Sequence, residues 1–114
     1  MSEDLFLKIV SREIPADIVF ENEDVLAFRD VNPQAPVHVL IIPKRKIRTI
    51  NEMQVSDTEL FGKLFLAAGE IAAQQGIAED GYRVVMNCNS AAGQTVFHVH
   101  LHLLGGRVLN WPPG

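Results

Sequence analysis

The chain has 114 residues, 47% of them hydrophobic, with 14 acidic and 10 basic side chains and a net charge of −4. A chain of this length forms one domain, 1–114, and buries about two-thirds of its unfolded surface, so its core needs neither disulfides nor a structural metal. The acidic balance argues against a nucleic-acid binder but not against a mononucleotide, and the single cysteine, Cys88, excludes an intrachain disulfide or a multi-cysteine zinc site.

The start, Met1-Ser2-Glu3-Asp4, lacks the basic-then-apolar layout of a signal peptide, and no apolar run approaches the ~18–20 residues of a membrane span. A cytoplasmic protein without membrane contact is expected. Ser2 is placed to cap a short helix carrying Leu5, Phe6, Ile9 and Val10, which Pro15 closes. Two strands follow, Ile18 to Glu21 and Val25 to Asp30, around the turn Asn22-Glu23-Asp24; Val37 to Ile42 forms a third. Lys44, Arg45, Lys46 and Arg48 read as a solvated basic loop.

Ser56-Asp57-Thr58-Glu59 matches a capping box, and Leu60, Phe61, Leu64, Phe65, Ala68, Ile71 and Ala72 then recur at helical spacing, up to the stop at Gly76. Tyr82 to Cys88 and Val96 to Leu104 read as the fourth and fifth strands. Between them Asn89 to Thr95 forms a small-residue loop able to expose backbone amides. The pattern predicts an α+β domain with a five-stranded, mostly antiparallel sheet, one long helix and one short one.

Three of the four histidines, His98, His100 and His102, alternate along the last strand and so share one face, with Val99, Leu101 and Leu103 on the other. Three readings compete. A polar strand face can use histidine without chemistry. A metal can bridge two histidines at this spacing, with His38 or the far histidine as third ligand. A nucleophilic imidazole explains the row best: it attacks while neutral near pH 7, its neighbours handle protons, and amides around Gly93 to Val96 supply donors for negative charge on phosphorus. Asn87 adds a side-chain donor.

The motif His98-Val99-His100-Leu101-His102-Leu103-Leu104 resembles that of the histidine triad superfamily, specifically its nucleotide-binding branch. Phe28-Arg29-Asp30, Pro33-Gln34-Ala35-Pro36-Val37-His38, Ile42-Pro43-Lys44, Gly93-Gln94-Thr95, Gly105-Gly106-Arg107 and Trp111-Pro112-Pro113-Gly114 extend the likeness over nearly the whole chain. The resemblance implies a homodimer whose sheets join into one of ten strands, and hydrolysis of purine nucleoside phosphoramidates through a nucleotidyl-histidine intermediate, without cofactor or metal. It makes His100 the nucleophile, His98 and His102 phosphate-binding and proton-handling groups, and His38 their support. Asn87, Gly93 and Thr95 match phosphate-contacting positions, Val96 a further substrate-binding position, and Asp30 the carboxylate that holds the ribose hydroxyls. Leu5, Phe6, Ile9, Phe28 and Val31 match the purine slot, while Trp111 belongs to a tail that reaches the partner's site. Thr95 stands where the branch often has serine, Arg29 where it often has histidine, and Val108-Leu109-Asn110 departs from familiar members. The rival functions are dinucleoside polyphosphate hydrolysis and non-catalytic nucleotide binding or scaffolding. The dimer interface is expected at the Tyr82 to Cys88 strand or on the long helix, at Ala67, Ala68 and Gly69.

Overall fold

The computed structural model describes residues 5–114. The cap expected at Ser2 lies outside them. In chain order the elements are α1 (Leu5–Val10), β1 (Ile18–Glu21), β2 (Val25–Arg29), β3 (Val37–Pro43), α2 (Thr58–Gln74), β4 (Tyr82–Val85) and β5 (Leu101–Gly105). The five strands form one sheet in the order β1-β2-β3-β5-β4, and all four pairings are antiparallel.

Strand alternation divides the core between the two faces of this sheet. Val25, Ala27, Val39, Ile41, Leu101 and Leu103 meet Leu64, Ala67, Ala68, Ile71 and Ala72 of α2. Leu26, Phe28, Leu40 and Ile42 meet Phe6 and Ile9 of α1. The middle strands are therefore buried on both sides, and each fully buried Leu or Ile contributes about 1.5–3 kcal/mol. In register, Leu40 faces His102 and Phe28 faces Leu40, so His102 stands on the α1 face. His38, two residues before Leu40, shares that face.

Several sequence expectations are corrected. The long helix starts at Thr58, not after a Ser56 cap; Asp57 is the buried residue at its start, and its Oδ2 accepts the Gln54 amide at 2.8 Å while Oδ1 pairs with Arg45. The basic loop is pinned, not freely solvated: Lys44 pairs with Glu21 at 2.8 Å, Arg45 with Asp57, and the Arg48 guanidinium lies 5.2 Å from the Phe97 ring centre. Ala67 and Ala68 face the sheet, whereas Phe65 and Leu66 face outward, 55% and 76% exposed.

The last strand begins at Leu101, five residues later than expected, and runs to Gly105. Before it, the chain is tied to the end of β3 by separate bonds: Val99 donates its amide to the Ile47 carbonyl at 2.8 Å, and His98 donates Nε2–H to the Pro43 carbonyl at 2.8 Å. Because β5 leaves the ladder there, β4 has no partner beyond Val85, opposite His102, and stops short of Cys88.

Candidate active site

The three histidines do cluster, although only His102 lies within the ladder. Phe6 of α1 stands edge-on to His98 and His100, with ring centres 6.1 and 5.0 Å away, and the His100 and His102 rings are 5.1 Å apart. His38, on β3, places its ring 5.2 Å from that of His102.

Backbone partners assign the proton on each ring, because a carbonyl only accepts and an amide only donates. His98 donates Nε2–H to the Pro43 carbonyl, and its buried Nδ1 has no partner among the described residues. His100 donates Nδ1–H to the His98 carbonyl at 2.8 Å, which leaves its Nε2 lone pair bare. The Gln34 amide donates to His38 Nδ1 at 3.0 Å, while His38 Nε2 lies 3.0 Å from His102 Nδ1 and 3.4 Å from Asp30 Oδ2.

Burial keeps these rings neutral. It pushes His98 and His102 down to about 4, the latter helped by the neighbouring His100 and His38. Burial also lowers His100 and His38, opposed in each by the Asp30 carboxylate and in His100 by the bond to the His98 carbonyl. A desolvated ring loses more by charging than a solvated one, so all four hold lone pairs at pH 7.

A cavity of about 630 Å³ opens beside the cluster, in the usual ~300–1,000 Å³ range of small-molecule sites. Its apolar wall is built from Leu5, Phe6, Ile9, Phe28 and Val31. Asp30, Thr95, Val96, His100 and His102 supply the polar wall. Asp30 follows the last residue of β2, and its Oδ1 already accepts the Asn32 amide at 2.9 Å. Sequence reasoning missed Asp17 and Pro15 as lining residues; Arg29, singled out in the sequence, also lines the cavity and is held there by Asp17 at 3.1 Å.

The remaining expected residues sit elsewhere. His98 is fully buried behind the wall, with its Nε2–H committed to Pro43. Asn87 and Gly93 are outside the lining, Gly93 closing the short turn Ser90–Ala92. Trp111 is also outside it and 82% exposed. A second groove, of about 670 Å³, lies between the α2–β4 connection and the tail, lined by Asp80, Tyr82, Arg83, Arg107 and Leu109 among others. It holds no histidine.

Asp30, His38 and His102 bring one ligand atom each within 4.8 Å of one another, close enough to hold a metal ion. The donor set fits such an ion poorly. With His38 Nδ1 already accepting the Gln34 amide, its Nε2 carries a proton where a metal needs a lone pair.

The sequence pattern of the HIT domain matches residues 11–109. An uncharacterised HIT-like protein of Synechococcus elongatus is 58% identical over all of both chains. The purine nucleoside phosphoramidase of Escherichia coli K12 is 52% identical over 94% of this chain and 90% of its own. The crystal structure of a HIT family hydrolase from Legionella pneumophila superposes with a TM-score of 0.95 at 55% identity, over 96% of this chain and 98% of that one. With the triad, the sheet and the cavity all in place, the chain belongs to the histidine triad (HIT) domain family.

Proposed function

We propose that the protein is a hydrolase of purine nucleoside phosphoramidates such as adenosine 5′-phosphoramidate, releasing the nucleoside monophosphate and an amine. The observation that carries this reading is the 2.8 Å bond from His100 Nδ1–H to the His98 carbonyl, which leaves a bare, neutral Nε2 on the wall of a nucleotide-sized cavity. The 52% identity to a named phosphoramidase supports the substrate class.

In this reading the purine rests against Phe6 and Phe28, and the ribose hydroxyls reach Asp30. His100 Nε2 attacks the α-phosphorus as the P–N bond breaks. The electron pair leaves with the amine, which is protonated from solvent. Water then displaces the imidazole from phosphorus and loses a proton, restoring neutral His100. His102, Thr95 and Val96 hold the phosphate, with Asn87 and Gly93 acting from the adjoining loop. His98 acts through its carbonyl, turning and tautomerising the nucleophile, and His38 supports His102.

The active unit in this reading is a cytoplasmic homodimer. Edge strand β4 and the outward side of α2, with Phe65, Leu66 and the 39%-exposed Tyr82, provide its apolar interface. Trp111 then serves the partner's cavity rather than its own. The deciding experiment is turnover of adenosine 5′-phosphoramidate against diadenosine polyphosphates, with and without a chelator. Fast, chelator-insensitive release of AMP from the phosphoramidate supports the proposal. Preference for the polyphosphates assigns the rival hydrolase, and binding without turnover assigns a nucleotide-binding module.

A further inference from the structure

We propose that the main-chain N–H of Gln34 is a positioning group that sets the proton arrangement of His38 and, through it, fixes His102 with its proton on Nε2. The inference rests on the reading above only in taking His102 to face the substrate.

An amide N–H only donates, and that of Gln34 lies 3.0 Å from His38 Nδ1. A neutral imidazole has one N–H and one lone pair, so His38 carries its proton on Nε2. That nitrogen is 3.0 Å from His102 Nδ1, and two protons do not fit between atoms so close. His102 Nδ1 is therefore bare and its proton sits on Nε2. The neighbouring His100 has the opposite arrangement, imposed by the His98 carbonyl. Two adjacent rings thus differ in kind: His100 offers a lone pair, and His102 offers a donor to an anionic phosphate.

The turn that holds this amide is tied at four places. Asp30 Oδ1 accepts the Asn32 amide at 2.9 Å, and the Gln34 side chain donates to the Asn32 carbonyl at 3.0 Å. Arg107 Nε donates to the Gln34 carbonyl at 3.1 Å. Gly106, with φ of +91°, lies so close to Pro36 that a Cβ there would sit 2.9 Å from the proline ring. The last two ties come from the residues directly after β5, so the strand that carries His102 also anchors the turn that sets its tautomer.

Long-range ¹H–¹⁵N spectra of ¹⁵N-histidine-labelled protein read the tautomers directly. Nε2–H on His38 and His102 with Nδ1–H on His100 is expected; Nδ1–H on His38 or His102 overturns the proposal. Replacing the Gln34 amide by an ester, which keeps the side chain and removes only the N–H, should move the His38 and His102 protons to Nδ1. It should also lower turnover by about tenfold or more, since a donor to a charged oxygen is lost. A folded ester variant with the parent's tautomers overturns the proposal, as does one with flipped tautomers and full turnover.

If the ester chain does not fold, Arg107→Ala serves, because that side chain is exposed and outside the cavity. A mixed His38 tautomer with turnover lowered severalfold is expected, since the solvent-exposed guanidinium–carbonyl bond only steadies the turn that holds the amide. Unchanged tautomers and rate would overturn the role of the brace. The spectra need no substrate, so failure of the phosphoramidase reading leaves them standing. Wrong tautomers in a protein that still cleaves phosphoramidates would sink only the present inference.

Discussion

Phe6 of α1 stands perpendicular to His100, with ring centres 5.0 Å apart and planes at 87°, and it also packs edge-on against Phe28 at 5.5 Å. One buried ring, 3% exposed, therefore serves as core, as cavity wall and as the shield that dries His100. Phe6→Ala should cost about 3–5 kcal/mol of stability through the void it leaves. Phe6→Leu keeps most of the volume and should cost about 1–2 kcal/mol. Both variants should let water reach His100 and raise its pKa toward the ordinary 6.5, because burial is the main cause of its lowering. Chemical denaturation and an NMR titration of His100 check the two effects; an unmoved His100 would show that the shielding comes from elsewhere.

His100→Ala should abolish turnover while leaving AMP bound, since it removes a bond made only during reaction and spares the ribose and base contacts. Activity within about tenfold of the parent, a loss under ~1.4 kcal/mol, would mean that another group attacks phosphorus. Turnover by the parent should survive exhaustive chelation, and loss with EDTA reversed by zinc would restore the metal reading at Asp30, His38 and His102.

Asp30→Asn should lower affinity for ribonucleotides by roughly tenfold or more, the weight of a charge-assisted bond of about 1.5–3 kcal/mol. The substitution is a fair test because asparagine keeps an oxygen for the Asn32 amide, so the turn persists. The parent should prefer AMP over 2′-deoxy-AMP, and the variant should lose most of that preference. Calorimetry with both ligands measures it; equal discrimination by the two proteins would remove Asp30 from the ribose site.

Stability should fall as pH drops from 6.5 toward about 4. His98 and His102 have folded values near 4 against an ordinary 6.5, so in this window the unfolded chain takes up protons that the folded one refuses. Above 6.5 both states are neutral and the effect vanishes; below about 4 both are charged and it levels off. The carboxylates of Glu21 and Asp57, held below 4.5 and 3.8 by their cationic partners and, in Asp57, first by the Gln54 amide, add their own loss only at the acid end. Urea midpoints measured across this range, at constant m-value, should decline steadily. A flat profile between pH 6.5 and 5 would contradict the burial of these rings.

The protein should sediment as a dimer at micromolar concentration, and Leu66→Glu should yield monomers by placing a charge on the exposed apolar side of α2. A parent that sediments as an active monomer would remove the interface.

Much of this architecture is legible in the residues. β1 is readable to the residue because Ile18 to Glu21 is bounded by a turn whose Asn22 side chain accepts the amides of Asp24 and Val25. The His98-x-His100-x-His102 alternation points to one cluster of imidazoles, and the structure brings these rings together. What it could not give was the early end of the ladder, since the bonds of Val99 to Ile47 and of His98 to Pro43 join segments about fifty residues apart. The start of α2 differs for a local reason. Ser56 has the chemistry of a cap, but Gln54 and Asp57 close a capping box of their own around the short turn Val55–Asp57, and α2 begins only after it, at Thr58. Nor could spacing alone tell His98 from His102, because the bond that draws His98 into the core runs to the Pro43 carbonyl, far away in sequence.

The sheet order places β5, last of the five strands in the chain, between β3 and β4. The centre of the sheet is thus completed by the final strand to leave the ribosome. Until then β3 presents a bare edge lined with Val39, Leu40, Ile41 and Ile42, a template for intermolecular pairing. His38 meets His102 across 64 residues of sequence, so the histidine cluster comes into being with the same late insertion that closes this edge. An unfinished chain therefore lacks the histidine cluster and, for the same reason, is most exposed to aggregation.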